Sequence, residues 1–376
     1  MHLSVWEKES FLSPADILIA GSGFTGLWCA YYLKKRHPGL AITIVDRGII
    51  PSGASTRNAG FACFGSLTEL MSDAVSMGEQ SMLGLAEMRY KGISKIQKVF
   101  KKKEIDFDLC GGYELIGPVN HDRYDQLSGQ INWLNKQLSP VTGKKKTFEF
   151  ADKSIKKFGF NNVSHLIRTG QEGSLHPGKL SQALLQKVQC MGVHVLTNVE
   201  IKHFEAGENG ITLITDRQFN LSATKIIVCT NAFAKQLLPD LDITPARGQV
   251  LLTAPIPSLK IKGTFHFDEG YYYFRNLDDR LLIGGARNSA PDQEGTIHLD
   301  ITDNIQQKLE AFIRDHLLTG TPFTVTDRWS GIMGMGPGKM PIVKKISDNV
   351  YCAVGLGGMG VALAPVAGRQ MADLVY

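Results

Sequence analysis

The sequence predicts an α/β protein of two domains, one doubly wound around a parallel sheet and the other of α+β type with an antiparallel sheet. Two observations predict this class. Between Asp16 and Asp46 a short apolar strand, a glycine-rich turn, a helix and a second strand follow one another, which is the order of a nucleotide-binding βαβ unit. After Pro245 the chain changes to short segments rich in aromatic and β-branched residues, which are typical of antiparallel strands. A length of 376 residues is sufficient for two such cores.

The glycine-rich turn has the spacing of a dinucleotide-binding site. Gly21 permits a tight turn, Gly23 allows the backbone to approach a pyrophosphate, and Gly26 allows the helix to pack closely on the strand. The helix that follows directs its N-terminal dipole at the phosphates. Asp46 ends the second strand and can accept hydrogen bonds from a ribose diol.

Two further glycine-rich segments are candidates for ligand binding. Residues 53–60 are small and polar and can supply backbone N–H groups and hydroxyls to an anion; the alternative is an irregular surface loop. Residues 355–360 join a strand to the C-terminal helix, and their N–H groups can stabilise a developing negative charge. The alternative there is a helix start that needs no ligand.

Composition and charge argue against several classes of protein. The net charge is +5, and the densest basic runs, residues 101–103 and 144–146, lie in polar stretches, which indicates a solvated surface rather than a nucleic-acid interface. The six cysteines are scattered without a CxxC pair, which disfavours zinc and disulfides and is typical of a reducing compartment. The sequence shows no signal peptide and no apolar run of about 18 residues. We therefore expect a soluble cytoplasmic protein with no metal, no nucleic-acid partner and no transmembrane segment.

Together these segments resemble the D-amino acid oxidase-like flavoprotein family, which includes glycine oxidase, sarcosine oxidase and gamma-glutamylputrescine oxidase. The matching segments extend over nearly the whole chain and are residues 21–46, 53–60, 246–249, 281–285 and 355–365. The resemblance implies FAD, bound in a doubly wound domain with a parallel sheet, and an α+β substrate domain whose large antiparallel sheet covers the flavin. We assign residues 1–108, 161–238 and 325–376 to the FAD-binding domain, and residues 109–160 and 239–324 to the substrate domain.

The resemblance also implies which residues bind FAD. On the N-terminal turn, at the ribose acid and in the loop after it, these are Gly21, Gly23, Phe24, Thr25, Gly26, Asp46, Arg47, Ala54, Ser55, Thr56, Asn58, Ala59 and Gly60. Val199, through its backbone, and Thr230 are expected at the adenine end. Gly358, Met359, Gly360 and Val361 are expected at the pyrimidine edge of the flavin, and Gly331 and Gly355 complete the set.

The chain departs from the family pattern at the substrate carboxylate. Glycine-oxidase-like enzymes carry an arginine for that carboxylate where this chain has Met333, so a bidentate clamp is missing there. Arg275 or Arg287 are possible replacements. The missing clamp favours an amine or a larger conjugate, as in the gamma-glutamylputrescine branch, over a simple α-amino acid.

Three more departures concern the flavin and the electron acceptor. Sarcosine-oxidase-like enzymes attach the flavin through a cysteine near Gly331, and dimethylglycine-dehydrogenase-like enzymes through a histidine where Arg57 stands; neither is present. The resemblance therefore implies noncovalent FAD. The same sarcosine oxidases use a lysine near Leu282 to help oxygen react, and its absence leaves O2 and quinone open as acceptors.

These observations predict an FAD-dependent oxidoreductase that oxidises a C–N bond of an amine or amino acid. Hydride passes from the substrate carbon to flavin N5, and water hydrolyses the resulting imine. The residues expected to contact the substrate are Tyr271, Tyr273 and Met359, with His266 as a further candidate, because alternate side chains of a strand share one face. Packing within the sheet is the alternative for each tyrosine and for His266.

Two other functions stay open from the sequence. One is a dehydrogenase that passes electrons to an acceptor other than oxygen. The other is a non-catalytic FAD-binding protein, because Met333 and Leu282 replace two residues that assist catalysis in relatives. A more specific interpretation assigns Asp268 and Glu269 to the second amine of a diamine substrate.

Overall fold

The computed structural model describes residues 3–118, 123–207 and 210–376, and it describes their side chains except at residues 123 and 124. Its α-helices are, in chain order, α1 Val5–Ser10, α2 Phe24–Arg36, α3 Ala54–Arg57, α4 Leu67–Met77, α5 Glu79–Val99, α6 Arg123–Thr142, α7 Lys153–Phe158, α8 Pro177–Cys190, α9 Pro291–Glu294, α10 Asp303–Phe312 and α11 Gly360–Val375. Its strands are β1 Ala15–Ala20, β2 Ile42–Val45, β3 Phe61–Ala62, β4 Gly112–Ile116, β5 Phe148–Phe150, β6 His165–Thr169, β7 Gly173–Ser174, β8 Val193–Leu196, β9 Ile201–Gly207, β10 Gly210–Thr215, β11 Asn220–Val228, β12 Thr244–Thr253, β13 Thr264–Phe267, β14 Tyr272–Leu277, β15 Arg280–Gly285, β16 Val325–Met335, β17 Ile342–Ser347 and β18 Val350–Val354.

The chain forms two compact units, each built from separate stretches of sequence. The first unit comprises Met1–Arg57, Pro177–Ala246 and Ile332–Tyr376, and the second comprises Asn58–His176 and Arg247–Gly331. The predicted domains alternate along the chain in the same way, but they place residues 58–108, 161–176 and 325–331 in the FAD-binding domain and residues 239–246 in the substrate domain. The predicted boundaries, which concern where FAD and substrate bind, stay a prediction.

The first unit is built on a mostly parallel sheet, as the sequence predicted. The strand order is β17-β18-β11-β1-β2-β8, and β9 and β10 extend from β11 as an antiparallel pair. The neighbours of β1 are β11 and β2, and both pairings are parallel. Ile17, Leu18 and Ile19 of β1 are at most 1% exposed, because a central parallel strand is covered on both faces.

The second unit is built on a large sheet that is mostly antiparallel, which confirms the second half of the predicted fold class. Its strand order is β16-β12-β15-β14-β13-β4-β6-β5. Strands β12, β15, β14 and β13 pair in antiparallel fashion, whereas β13 and β4 pair in parallel. One face packs on an apolar core in which the rings of Phe265 and Phe274 stack 4.9 Å apart. The opposite face carries Tyr273 and Leu282.

Two segments differ from the structure expected for them. The Met and Leu spacing of residues 67–102 predicts one long helix, but this segment forms α4 and α5, because Gly78 adopts a φ of +86° and a ψ of 148° that no helix can include. For residues 1–15 the sequence predicts an extended leader with Trp6 packed on the body. They contain α1, which Ser4 caps through its hydroxyl, and Trp6 is 73% exposed.

One further expectation concerns membrane-spanning helices. No helix in the described part of the chain combines the length and the apolar composition needed to cross a membrane. The predicted cytoplasmic location stays a prediction.

Candidate functional site

The N-terminal turn of the first unit has a backbone that only glycine fits. Gly21 has a φ of +102°, and a Cβ on it would lie 3.0 Å from the carbonyl oxygen of Cys229. A Cβ on Gly26 would lie 2.1 Å from the carbonyl oxygen of Gly21, far inside van der Waals contact. Helix α2 therefore begins directly against the end of β1, as a dinucleotide turn requires.

Asp46 already binds the turn through both carboxylate oxygens. Its Oδ2 accepts hydrogen bonds from the backbone N–H of Ser22 at 2.8 Å and from the Ser22 hydroxyl at 2.6 Å, and its Oδ1 accepts from the N–H of Gly48 at 2.8 Å. A carboxylate offers about four acceptor positions. The three hydrogen bonds leave one acceptor position for a ribose hydroxyl. Through its bonds to Ser22, Asp46 also fixes the turn that follows β1.

The start of α2 is open to an anion. Its N-cap residue is Gly23, which has no side chain to accept from the helix N–H groups. One of these groups, that of Phe24, donates to the hydroxyl of Ser55 at 2.9 Å, which brings α3 to the turn. The N–H groups of Thr25 and Gly26 have no helical partner because a first turn lacks one, and a phosphate is their natural acceptor.

Residues expected at the adenine end show both used and unused polar groups. The N–H of Val199 donates to the carbonyl oxygen of Asp46 at 3.0 Å, so only its own carbonyl is available to a ligand. The guanidinium of Arg47 lies 4.0 Å from the ring centre of Phe233. The hydroxyl of Thr230 is buried and has no hydrogen-bond partner among the described residues, which costs about 1–3 kcal/mol and indicates a missing ligand atom.

The C-terminal glycine junction follows β18, which pairs with β11 in parallel. Gly355 has a φ of +74°, and its N–H donates to the side-chain oxygen of Asn231 at 3.0 Å. Met359 is the N-cap of α11 and makes no side-chain cap bond, and Gly358 is exposed. The first-turn N–H groups of Gly360 and Val361 are therefore available to a ligand.

The two glycine junctions lie at the carboxyl ends of β1 and β18, the two parallel strands that flank β11 in the sheet. Ligands of doubly wound sheets bind at this edge, where the strand order reverses. Asn231 was not among the predicted residues. The signal for it was its place directly after a buried strand, where its φ of +47° suits asparagine better than most residues.

The residues present fit a dinucleotide such as FAD. A helix begins at each of the two glycine junctions. The hydroxyl of Thr230, which has no hydrogen-bond partner among the described residues, lies between the two junctions in the strand order. Asp46 keeps one acceptor position for a ligand. The position that carries an arginine in glycine-oxidase-like enzymes is also at this edge. The sulfur of Met333 lies 3.7 Å from where a Cβ on Gly358 would be, so a thioether and not a cation stands beside the C-terminal junction.

The loop of residues 53–60 is stabilised largely by its own side chains. The Arg57 guanidinium donates to the carbonyl oxygen of Ser52 at 2.9 Å, the Thr56 hydroxyl donates to that of Pro51, and the N–H of Gly60 donates to the Asn58 side chain at 2.9 Å. Ala54 lies in α3 of the first unit, whereas Asn58, Ala59 and Gly60 belong to the second. Gly331 is a buried residue of β16, also within the second unit. Their predicted roles toward FAD stay predictions.

In the second unit, Tyr272 and Tyr273 are the first residues of β14, and Tyr271 directly precedes this strand. Tyr272 stacks on Phe312 in the apolar core, with ring centres 4.7 Å apart. Tyr273 lies on the opposite face against Gly284, where a Cβ would approach its ring to 2.6 Å. Burial raises the pKa of Tyr273 to about 12, so its hydroxyl is neutral at physiological pH.

Arg275 shares the face of Tyr273 but does not offer a free carboxylate clamp. It is 6% exposed, and its Nη1 donates to the carbonyl oxygens of Gly60 and Leu175, each at 3.1 Å. Burial lowers its pKa. The guanidinium of Arg287 instead lies 5.4 Å from the ring centre of Tyr271. The roles of both arginines toward a substrate carboxylate stay predictions.

Asp268 and Glu269 lie exposed in the turn before β14. Both have positive φ values, of 55° and 53°, and the Asp268 carboxylate accepts a hydrogen bond from the Asn288 side chain at 3.0 Å. Their proposed contact with a second substrate amine stays a prediction.

Comparisons with known proteins agree with this fold. A family model described as "DAO: FAD dependent oxidoreductase" matches residues 16–374. The chain is 25% identical to gamma-glutamylputrescine oxidoreductase of Escherichia coli (strain K12) over 381 residues, 96% of this chain and 83% of that protein. It is 22% identical over 374 residues to the probable oxidoreductase OrdL of Rhizobium meliloti, 96% of this chain and 82% of that protein.

Solved structures show the same fold. Glycine oxidase from Geobacillus kaustophilus matches with a TM-score of 0.76 at 19% identity, over 96% of this chain and 94% of that one. L-proline dehydrogenase from P. horikoshii also matches with a TM-score of 0.76, at 17% identity, over 96% of this chain and 93% of that one. The two glycine junctions are typical of a dinucleotide site, and the family model spans nearly the whole chain. This chain therefore belongs to the DAO family of FAD-dependent oxidoreductases.

Proposed function

We propose that this protein oxidises a carbon–nitrogen bond of an amine, in preference to a simple α-amino acid. One observation supports this proposal most directly: the uncharged Met333 lies beside the C-terminal glycine junction, residues 355–360. The helix start at that junction suits the reduced flavin, and the residue beside it carries no charge for a substrate carboxylate. Relatives named gamma-glutamylputrescine oxidoreductase and glycine oxidase support the reaction class.

The chain's own residues bind and orient the cofactor. The N–H groups at the start of α2 bind the pyrophosphate, and the free acceptor position of Asp46 binds a ribose hydroxyl. The hydroxyl of Thr230 supplies a buried hydrogen bond. FAD bound by these residues would supply an acceptor for the hydride of the carbon next to the substrate nitrogen.

Helix α11 contributes an electrostatic effect. Its first-turn N–H groups and its dipole place partial positive charge at the junction formed by Gly358 and Met359. Such fixed dipoles stabilise negative charge that develops during the reaction without reorganising. The proposed reaction needs no charged acid or base beside the substrate. The neutral hydroxyl of Tyr273 contributes a hydrogen bond, and its side chain contributes to the shape of the substrate site.

The proposal is tested on the purified protein with its flavin. In the absence of air, we expect a panel of primary and secondary amines to bleach the visible flavin bands faster than α-amino acids of similar size. If α-amino acids bleach the flavin at least as fast, the assignment to amines is wrong. If no member of the panel bleaches it, the protein is a non-catalytic FAD-binding protein.

One observation favours a second candidate, a dehydrogenase with an acceptor other than oxygen. Leu282 is 5% exposed and packs with Ala59, Val250 and Leu252, so an apolar cluster takes the place of the lysine that assists oxygen in sarcosine-oxidase-like enzymes. Substrate turnover under air decides between the two candidates. Stoichiometric peroxide identifies an oxidase, and reduction of a quinone or dye without peroxide identifies a dehydrogenase.

A further inference from the structure

A small cavity in the second unit lies outside the two glycine junctions, and polar side chains share its lining with the apolar Leu67, Phe148 and Ile167. It has room for about one water molecule. Glu114 of β4, Thr169 of β6, Glu172 after β6 and His266 of β13 face it, together with Ser66. All five side chains are at least nine-tenths buried. A cavity of this size can hold one water molecule where two or more polar groups face it.

The imidazole of His266 lacks a hydrogen bond in this cavity. Its Nε2 is buried and has no partner among the described residues, and the residue is 6% exposed. Burial lowers the pKa of His266 to about 4, so the ring is neutral at physiological pH. Leaving such a nitrogen unsatisfied costs about 1–3 kcal/mol, and a water molecule removes that cost.

The sheet register places a glutamate directly beside this histidine. His266 pairs with Glu114 on β4 and with Tyr273 on β14. Side chains of paired residues stand on the same face about 5 Å apart. Tyr273, His266 and Glu114 therefore form one row of side chains across the sheet, and His266 and Glu114 of this row line the cavity.

The two glutamates of the cavity accept hydrogen bonds but have no cation. The carboxylate of Glu114 accepts from the Ser66 hydroxyl at 3.0 Å and from the N–H of Thr68 at 3.0 Å. One oxygen of Glu172 accepts from the backbone N–H groups of Phe64 at 2.7 Å and Gly65 at 3.2 Å. Neither carboxylate forms an ion pair within the described part of the chain.

Arg89, a cation near these carboxylates, is already engaged. It donates to Glu69 at 3.1 Å and to the carbonyl oxygen of Phe64 at 3.2 Å. Burial raises the pKa of Glu172 to about 8 and that of Glu114 to about 7, and the negative charge of Glu69 adds to both. Burial likewise raises the pKa of the nearby Cys63 thiol, so this thiol stays neutral and adds no further negative charge.

We propose that this cavity is a proton-binding site, in which one water molecule bonds to His266 Nε2 and a protonated glutamic acid, Glu172 or Glu114. Two buried carboxylates without a cation cost more than one that holds a proton, because charge is desolvated and repelled there. The water completes the hydrogen bonds of the ring nitrogen and the acid. The site does not depend on the proposed substrate or on FAD chemistry.

A crystal structure of the unsubstituted holoenzyme tests the water. We expect an ordered water molecule within hydrogen-bond distance of His266 Nε2 and of one oxygen of Glu114 or Glu172. An empty cavity, or one closed by a rotated His266, would overturn the proposal without any variant.

Infrared spectroscopy tests the proton. At neutral pH we expect a carbonyl band of a protonated carboxylic acid that shifts in D2O and is lost in the double variant E114Q/E172Q. Glutamine has the shape of the protonated acid, so this variant keeps the acceptor atoms. The matched control is Glu149→Gln, at a half-exposed surface ion pair, which should leave the band intact. A band that survives in the double variant, or is absent from the unsubstituted protein, refutes the site.

Discussion

Replacing Glu172 with glutamine should change how the stability of the protein depends on pH. Glutamine keeps a side-chain oxygen for the N–H groups of Phe64 and Gly65, which now bond to Glu172 at 2.7 and 3.2 Å. It cannot ionise, so it imitates the protonated acid at every pH. Any difference between the two proteins that varies with pH therefore reports the proton on Glu172.

The direction follows from the raised pKa. The folded state binds the proton of Glu172 more tightly than the unfolded state, with a pKa of about 8 against the ordinary 4.5. Protonation therefore stabilises the fold fully below pH 4.5, and this contribution is lost as the pH rises to about 8. At about 1.4 kcal/mol for each pH unit, the free energy of unfolding loses roughly 5 kcal/mol across this interval.

Urea unfolding with saturating FAD measures this difference. The Glu172→Gln variant should gain on the unsubstituted protein steadily between about pH 5 and about pH 8, by several kcal/mol in total. Glu149→Gln, at the surface pair with Arg168, should differ by less than about 1 kcal/mol throughout. A constant difference between Glu172→Gln and the unsubstituted protein would show that Glu172 holds its proton no more tightly in the fold, and the argument from burial would be wrong.

Three further substitutions test the cofactor and substrate regions. Gly26→Ala should lower the free energy of unfolding by about 1–3 kcal/mol and abolish FAD retention on gel filtration, because its Cβ would lie 2.1 Å from a carbonyl oxygen. The control Gly39→Ala, whose Cβ would meet nothing within 4 Å, should retain the yellow colour. Loss of flavin from both variants would refute the steric argument. Met333→Arg should lower the KM for α-amino acids by about tenfold through a charge-assisted bond, and an unchanged ratio of amine to amino acid kcat/KM would count against the position. Gly284→Ala should displace the ring of Tyr273 and raise the substrate KM several-fold while FAD content stays constant; an unaltered KM would remove Tyr273 from the substrate contacts.

Local pattern was sufficient to predict the first glycine turn. The strand, the turn from Gly21 to Gly26 and helix α2 are consecutive in sequence, and the close contact that requires Gly26 is with Gly21 in the same turn, although Gly21 itself lies against Cys229. The antiparallel sheet of the second unit was also predictable, because its aromatic and β-branched strands follow one another with short turns. In both cases most of the elements involved follow one another in sequence.

The features that escaped prediction depend on distant partners or on one backbone angle. The bond from the Gly355 N–H to Asn231 joins residues 124 positions apart. Glu114 and Glu172 read as solvent-facing charges in sequence, and only the fold shows that both are buried. The helical pattern of residues 67–102 continues through Gly78, since glycine inside a helix weakens it without forbidding it, so the break there was invisible.

The order of strands in the first unit has a consequence for biosynthesis. Strand β18, which carries the second glycine junction, is translated long after β1 and β2, yet it pairs beside β11, the neighbour of β1. A nascent chain that has completed α2 and β2 therefore has only one of the two junctions at which we propose that FAD binds. We expect such a chain to bind FAD only after β18 has been translated.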